Sequence, residues 1–327
     1  MNVAIIGGGF TGLTAAYELG KLGHHVPVFE KDATLGGLAS GFKKKNWDWS
    51  LEQAYHHLFT NDTAIINLIK ELGLAGKLII KRPITATLWN GVSYPLDSPL
   101  QLLRFPGMPL VDRLRTGAFL AILKINPFWQ PLESVTAKDL FLTLGGRRAW
   151  EAIWKPLMIG KFGNFAESVA ASWLWARVKK RTQKLYYMKG GFHALVSSLE
   201  QAIIQRGGTI KKNCKFDCGR IFKYNSFSHT PFDRILLTIP VPTAIPHLHA
   251  QTLILETKEP ILKDVYWLNI TERTFPFLAV VAHTNMIDKK HYGGHHLTYI
   301  GNYLPEGHPY LSMTKEQLLK KFMPFLR

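Results

Sequence analysis

The sequence predicts an α/β fold in which one lobe, built on a parallel sheet, is assembled from separated segments and carries a second lobe inserted between them. Three observations predict it. A short apolar strand, a glycine-rich turn and a helix open the chain. A buried-type strand, DRILLTIP at 233–240, returns far downstream. Between the two lie a long helical stretch and runs of strand-like alternation, too much material for a loop.

Taken in order, NVAII at 2–6 is short, apolar and β-branched, which is the pattern of a strand covered on both faces. TGLTAAYELGKLG follows with apolar residues at helical spacing and stops at Gly23, a C-terminal cap. HVPVFE at 25–30 is a second strand, and its Pro27 suits an edge or a bulge. An amphipathic helix is expected from Asn61 to about Leu74, then short strands over 79–96 turning at Asn90-Gly91. Residues 98 to about 185 are mostly helical, broken at Pro106, Pro109, Pro127, Pro131 and Pro156. GGFHALVSSLEQAIIQRGG gives a glycine loop, a helix and a glycine cap. TIKKNCKF and GRIFKY look like a hairpin. Strand alternation resumes over 251–304, and 314–324 is a short helix.

Of the 327 residues, 46% are hydrophobic and 19% charged, which is ordinary globular composition. Cys214 and Cys218, if on one strand, stand about 13 Å apart, too far for a disulfide. Reduced thiols in a cytoplasmic protein are the expectation. The stretch GAFLAIL at 117–123 is too short to span a bilayer. The net charge of +17 suits anionic lipid, nucleic acid or a phosphorylated substrate, but a solvated basic surface is the preferred reading of any single basic cluster. No helix-turn-helix, zinc finger or single-strand RNA signature accompanies it, so no nucleic acid partner is expected. His24-His25 and His295-His296 are adjacent pairs whose side chains point to opposite faces of a strand, so no metal site is read from them.

Gly7, Gly9 and Gly12 form G-x-G-x-x-G between the first strand and the first helix. Gly7 permits the tight turn, Gly9 lets a pyrophosphate approach the backbone, and Gly12 lets helix and sheet pack closely. The helix start then presents free amides, at Phe10 and Thr11 among others, to the diphosphate. Glu30 ends the second strand, where its carboxylate can take ribose hydroxyls. A dinucleotide site follows.

Beyond Glu30 and Lys31 the pattern continues as E-x5-G-G through Gly36 and Gly37, laying a second bare backbone against the same ligand. This longer motif resembles the dinucleotide signature of FAD-dependent amine oxidases, protoporphyrinogen oxidases and carotenoid desaturases. WDWSLEQAYHHLFTND, KPLMIGKFG, ASWLWARVKKR, YYMKGGFHALVSSLEQAIIQRGGTI and DRILLTIP resemble further segments of a prokaryotic branch of that superfamily. The resemblance implies FAD rather than NAD. It implies a Rossmann-like FAD-binding lobe of the glutathione-reductase type, built from 1–85 and 186–242. A helical substrate lobe at 86–185 and a β-rich one at 243–327 make up the rest. It places Phe216 at the adenine site through main-chain groups. Two departures stand out. Leu38 occupies the position where many amine oxidases carry an arginine on the pyrophosphate. The final strand, glycine-aspartate turn and helix of the superfamily are not seen before Arg327, so the chain is expected to be truncated at its C-terminus.

The implied enzyme is an FAD-dependent oxidoreductase that oxidises a C–N or C–C bond of a small, apolar or amine-bearing substrate by hydride transfer to flavin. Tyr55, His56 and His57 are the candidate catalytic residues, with Glu52 nearby, because a histidine can move a proton beside the hydride. Lys155, Lys161, Arg177 and Arg181 are expected to be helix-surface charge in preference to anion ligands. Trp150, Trp154, Trp173 and Trp175 either line an apolar pocket or form core. Residues 102–129 combine basic and apolar side chains. A peripheral membrane contact is one reading of them, and a buried helix hairpin is the preferred one. Two alternatives remain. One is an isomerase like UDP-galactopyranose mutase, with Arg104, Arg113, Arg115 or Arg177 on a diphosphate. The other is a non-catalytic protein of the fold, like the Rab escort and dissociation-inhibitor proteins. The intact glycine set argues against the latter.

Overall fold

A computed structural model describes residues 1–215, 232–240 and 247–326. The chain opens with β1 (Val3–Ile6), α1 (Phe10–Lys21), β2 (Pro27–Phe29), β3 (Gly41–Phe42) and β4 (Leu51–Glu52). It continues through β5 (Leu58–Phe59), α2 (Thr63–Glu71), β6 (Leu78–Lys81), β7 (Ile84–Trp89) and β8 (Val92–Pro95). The helical stretch comprises α3 (Pro99–Arg104), α4 (Leu110–Ile125), α5 (Ala137–Leu140), α6 (Arg147–Ala149), α7 (Lys155–Phe162) and α8 (Ala171–Lys180). Then come β9 (Leu185–Met188), α9 (His193–Gln205), β10 (Thr209–Lys211) and β11 (Arg234–Leu237). Strands β12 (Leu248–Thr257), β13 (Val265–Ile270), β14 (Ala279–Ala282) and β15 (His296–Pro305) precede α10 (Lys315–Phe322).

These elements form two units. The first takes Met1–His56, Thr63–Ile79 and Tyr186–Pro246; the second takes His57–Asp62, Ile80–Leu185 and His247–Arg327.

The first unit is built on a parallel sheet in the order β10-β2-β1-β11. β1 is buried along its whole length, as its β-branched run requires of a central strand. Pro27 is neither on an edge nor in a bulge, as the sequence suggested. It is the first residue of β2, an interior strand, where the absent N–H matters least. Thr209–Lys211 supplies β10, which pairs in parallel with β2. GRIFKY lies outside the described residues. Helix α1 is held to α2 through Glu71, whose carboxylate accepts from Tyr17 Oη at 3.0 Å and stands 2.7 Å from Lys21 Nζ.

The second unit carries a mixed sheet in the order β12-β15-β14-β13-β7-β8. Asn90 (φ +49°) and Gly91 (φ +73°) make the tight turn between β7 and β8 that their sequence predicts. Leu268, Ile300 and Phe322 belong to the core of the sheet. A separate helical core gathers Phe119, Phe141, Trp150 and Leu174. Helix α10 starts on Thr314, which makes a reciprocal capping box with Gln317.

The buried-hairpin reading of 102–129 fails on one face. Thr116, Phe119 and Leu123 of α4 are buried. The opposite stripe is not: Val111 is 75% exposed, Leu114 54%, Ile122 58% and Ile125 75%. Helix α4 is apolar on both sides, a pattern that a solvent-facing helix does not need. Among the described residues, no helix is long and apolar enough to cross a membrane.

Candidate functional site

In the first unit, two bare stretches of backbone run side by side. Gly9 and Gly36 form a parallel bridge, and the Gly36 N–H donates to the Gly8 carbonyl at 2.8 Å. Gly36 (φ +110°) and Gly37 (φ +57°) adopt conformations that side chains disfavour. A Cβ at Gly12 would lie 1.9 Å from the Gly7 oxygen, so that glycine is required by packing. Gly9 is different. A Cβ there would meet nothing nearer than Gly37 Cα at 3.8 Å, and its φ of −74° and ψ of 176° are open to any residue. The fold does not need Gly9 bare; a ligand pressed against the backbone does. Helix α1 begins at this point with no side-chain cap and no acidic residue in its first turn, which leaves its leading amides to an anion. The cradle fits the diphosphate of a dinucleotide.

Glu30 is buried beside it. Its carboxylate accepts the Gly8 N–H at 2.6 Å and the Asp32 N–H at 2.9 Å. Two backbone bonds fix the group and leave lone pairs for hydroxyl donors, since a carboxylate offers about four acceptor sites. Phe10 is half-buried against Phe192, with ring centroids 6.4 Å apart. Thr11 and Lys31 are exposed, and Leu38 is 77% exposed. Phe216 lies outside the described residues.

A second constellation of this unit surrounds Glu52. Its carboxylate is fully buried and accepts from Tyr187 Oη at 2.8 Å and from the Phe192 N–H at 2.7 Å, just before α9. Burial pushes its pKa up to about 7, against the pull of those two donors. Gly190 and Gly191, both at positive φ, wrap this group: a Cβ at Gly191 would lie 3.0 Å from Glu52 Oε1 and 2.5 Å from the Ser50 oxygen. The sequence offered Glu52 beside the histidines; the structure gives it the Phe192 amide at the N-cap of α9 and the Tyr187 hydroxyl. His56 ends this stretch. Its Nδ1 lies 2.7 Å from the Ala54 carbonyl, so Nδ1 carries the proton and Nε2 keeps a lone pair. Burial lowers its pKa, so the ring stays neutral at pH 7. Tyr55 is half-buried beside it in sequence.

In the second unit, a cavity of about 480 Å³ opens between α4, α8 and the sheet. Leu102, Leu120, Ile153, Trp154, Leu157 and Trp267 give it an apolar wall, and His57 lies in its lining. His57 Nδ1 is 3.1 Å from the Tyr266 hydroxyl, and the ring packs edge-on to Phe59 and Trp267. Of the four tryptophans singled out in the sequence, Trp154 lines this cavity and Trp150 is core. Of the four cations, Lys155 is an exposed partner of Glu151 at 2.8 Å, and Lys161 stands over the Tyr303 ring at 4.4 Å. Arg177 and Arg181 depart from the surface-charge expectation: both line the cavity.

A strand–glycine–helix lobe with paired glycine backbones, beside a mixed α/β unit holding an apolar cavity in the same chain, defines a dinucleotide-binding α/β protein. Residues 10–327 match the family described as flavin containing amine oxidoreductase, and the chain belongs to that family, whose cofactor is FAD. Among curated proteins, a zeta-carotene desaturase of Capsicum annuum is 25% identical over 246 residues, covering 64% of this chain and 40% of its own length. A 4,4'-diapophytoene desaturase of Staphylococcus haemolyticus is 43% identical over 51 residues, 16% of this chain and 10% of that protein. The chain thus spans less than half the length of these curated relatives. Among solved structures, a candidate protoporphyrinogen oxidase from Exiguobacterium sp. 255-15 superposes with a TM-score of 0.70 at 16% identity, covering 99% of this chain and 82% of that one. A reduced UDP-galactopyranose mutase gives 0.69 at 15% identity, with coverage of 98% and 78%. These likenesses establish the fold.

Proposed function

We propose that the chain oxidises a C–N or C–C bond of a small lipophilic substrate, with the FAD lobe drawn from 1–85 and 186–242 and the substrate lobe from 86–185 and 243–327. The observation that carries this reading is the apolar cavity of the second unit, which is of a size for a small organic molecule and has one imidazole in its wall. Bound flavin supplies the acceptor for a hydride.

The chain's own groups do the rest. The bare backbone at Gly7, Gly9, Gly36 and Gly37, with the amides of Phe10, Thr11 and Gly12, takes the diphosphate. Glu30, held by two backbone amides, accepts ribose hydroxyls. His56 keeps a neutral ring with an available Nε2 lone pair. His57, bonded to Tyr266, adds an imidazole to the wall of the cavity.

The isomerase reading draws less support. It wants several arginines on a diphosphate, and of the four named for it Arg177 lines the cavity while two others are committed elsewhere. Arg113 instead donates to the carbonyls of Met108 and Leu103, both at 2.6 Å, and Arg115 donates to Leu144 at 2.9 Å. The exposed stripe Val111, Leu114, Ile122 and Ile125 supports a peripheral contact with a membrane, from which a lipophilic substrate is drawn.

The test is to record the visible spectrum of the purified chain, then to follow oxygen consumption and hydrogen peroxide release across amines, porphyrinogens and polyenes. Flavin bands with turnover of one such class support the reading. Flavin without net oxidation of any substrate, but with sugar-nucleotide isomerisation, removes it.

A further inference from the structure

Arg177 and Arg181 sit four residues apart at the end of α8, so they share one face of the helix. Both line the cavity of the second unit. Burial lowers the pKa of each, and Arg181, pressed further by the charge of Arg177, falls to about 10. Among the described residues, neither guanidinium has a carboxylate oxygen within 4.0 Å. What they do have is slight. Arg181 Nη2 lies 3.4 Å from Thr85 Oγ1, and Arg177 stands over the Trp173 ring at 5.6 Å.

The other charges of the wall do not balance them. Asp97, the acidic residue of the lining, accepts the Thr85 N–H at 3.3 Å and attracts Arg181 from beyond ion-pair distance, one negative charge against the cations around it. Lys124, a third cation in the lining, is committed to the carbonyls of Val178, Lys179 and Arg181 at 3.1, 3.0 and 2.6 Å. Three cations therefore face one carboxylate around an apolar space. Cations placed in a low-dielectric wall without counter-ions are costly, and an anion entering the cavity removes that cost while gaining charge-assisted bonds.

We propose that this cavity binds an anionic amphiphile, its apolar body lying along Leu120, Trp154 and Leu157 and its oxyanion head taken by Arg177 and Arg181. The proposal rests on reading the cavity as the substrate site, and it narrows the substrate class from lipophilic to lipophilic with a carboxylate or phosphate.

The full chain, loaded with FAD, is titrated with dodecanoate, dodecyl phosphate, dodecanol and dodecylamine below their micellar concentrations. Tryptophan fluorescence is the readout, since Trp154 and Trp267 line the cavity. The two anions are expected to bind on the order of ten- to a hundred-fold tighter than the alcohol, as charge-assisted hydrogen bonds allow. The better of the two identifies the head group. Arg177→Gln and Arg181→Gln bring the anions to the affinity of the alcohol, and Arg181→Lys retains part of the preference. Equal binding of all four probes, or preference for the amine, overturns the proposal. The ranking on the unaltered chain decides the matter even if a variant fails to fold. Flavin content is read separately. A chain without flavin that still ranks the probes this way keeps the anion site and loses the oxidoreductase reading. A flavin-bearing chain that oxidises an uncharged amine and ignores the anions does the reverse.

Discussion

Gly9 and Gly12 are both bare, but a methyl group would be felt differently at each. At position 12 it would collide with the Gly7 oxygen at 1.9 Å; at position 9 its nearest neighbour would be 3.8 Å away. Gly12→Ala is therefore expected to destabilise the fold by about 1–3 kcal/mol through overpacking. Gly9→Ala should leave the melting temperature within a few degrees, about 2–4 °C per kcal/mol at this size, while the purified protein loses its flavin absorbance. Retention of flavin by Gly9→Ala would remove the cradle from its assigned role. Glu52 makes a second residue-scale prediction. A carboxyl whose pKa rises from 4.5 to about 7 stabilises the fold fully below pH 4.5, and that contribution fades as pH climbs to about 7. Urea unfolding should show the native chain losing about 3 kcal/mol from this group between pH 4.5 and pH 8, a slope that Glu52→Gln flattens. The glycine set and Glu30 were legible in the sequence because their geometry is local: each follows from spacing within one strand–turn–helix unit. The partners of Glu52, Tyr187 and Phe192, come from 135 and 140 residues away, and no local pattern announces them.

Helix α4 shows what can and cannot be read at the scale of an element. Its helical period was plain, but two of its faces are apolar, and sequence alone does not say which one the protein covers. The structure buries Thr116, Phe119 and Leu123, lines the cavity with Leu120 and Lys124, and leaves Val111, Leu114, Ile122 and Ile125 outside. If that outer stripe meets a bilayer, Leu114→Glu with Ile122→Glu should reduce co-sedimentation with anionic vesicles without changing the flavin spectrum; unchanged sedimentation would dismiss the contact. Lys124 belongs to the same helix and closes the C-terminal end of α8, where carbonyls lack helical partners. Lys124→Met should cost roughly 0.5–1.5 kcal/mol in chemical unfolding, since three partly exposed carbonyls lose a charged donor that water can replace. The sequence offered Arg177 and Arg181 as anion ligands but preferred surface charge, for the same reason as the α4 stripe: a basic helix end ordinarily faces solvent, and only the packing of α8 against the cavity turns it inward.

At the scale of the whole molecule, the discontinuous parallel lobe was legible from two like strands separated by unlike material, and so was the FAD signature. The charge of +17 was legible too, though not its distribution, since three of those cations line a cavity. Any attachment to anionic vesicles should weaken steeply between low and physiological salt, because the screening length shrinks to about 8 Å. β1 raises a different matter. It pairs on one side with β2 and on the other with β11, matching Val3 to Arg234, and the Asn2 amide donates to Asp233 at 2.7 Å. β1 thus keeps one edge open until β11, far downstream in the sequence, has been made. At about 5–20 residues per second, that interval lasts on the order of tens of seconds. During it, an apolar, β-branched edge is available for wrong pairings, so biosynthesis of this protein should depend on chaperones that shield exposed strand edges of nascent chains.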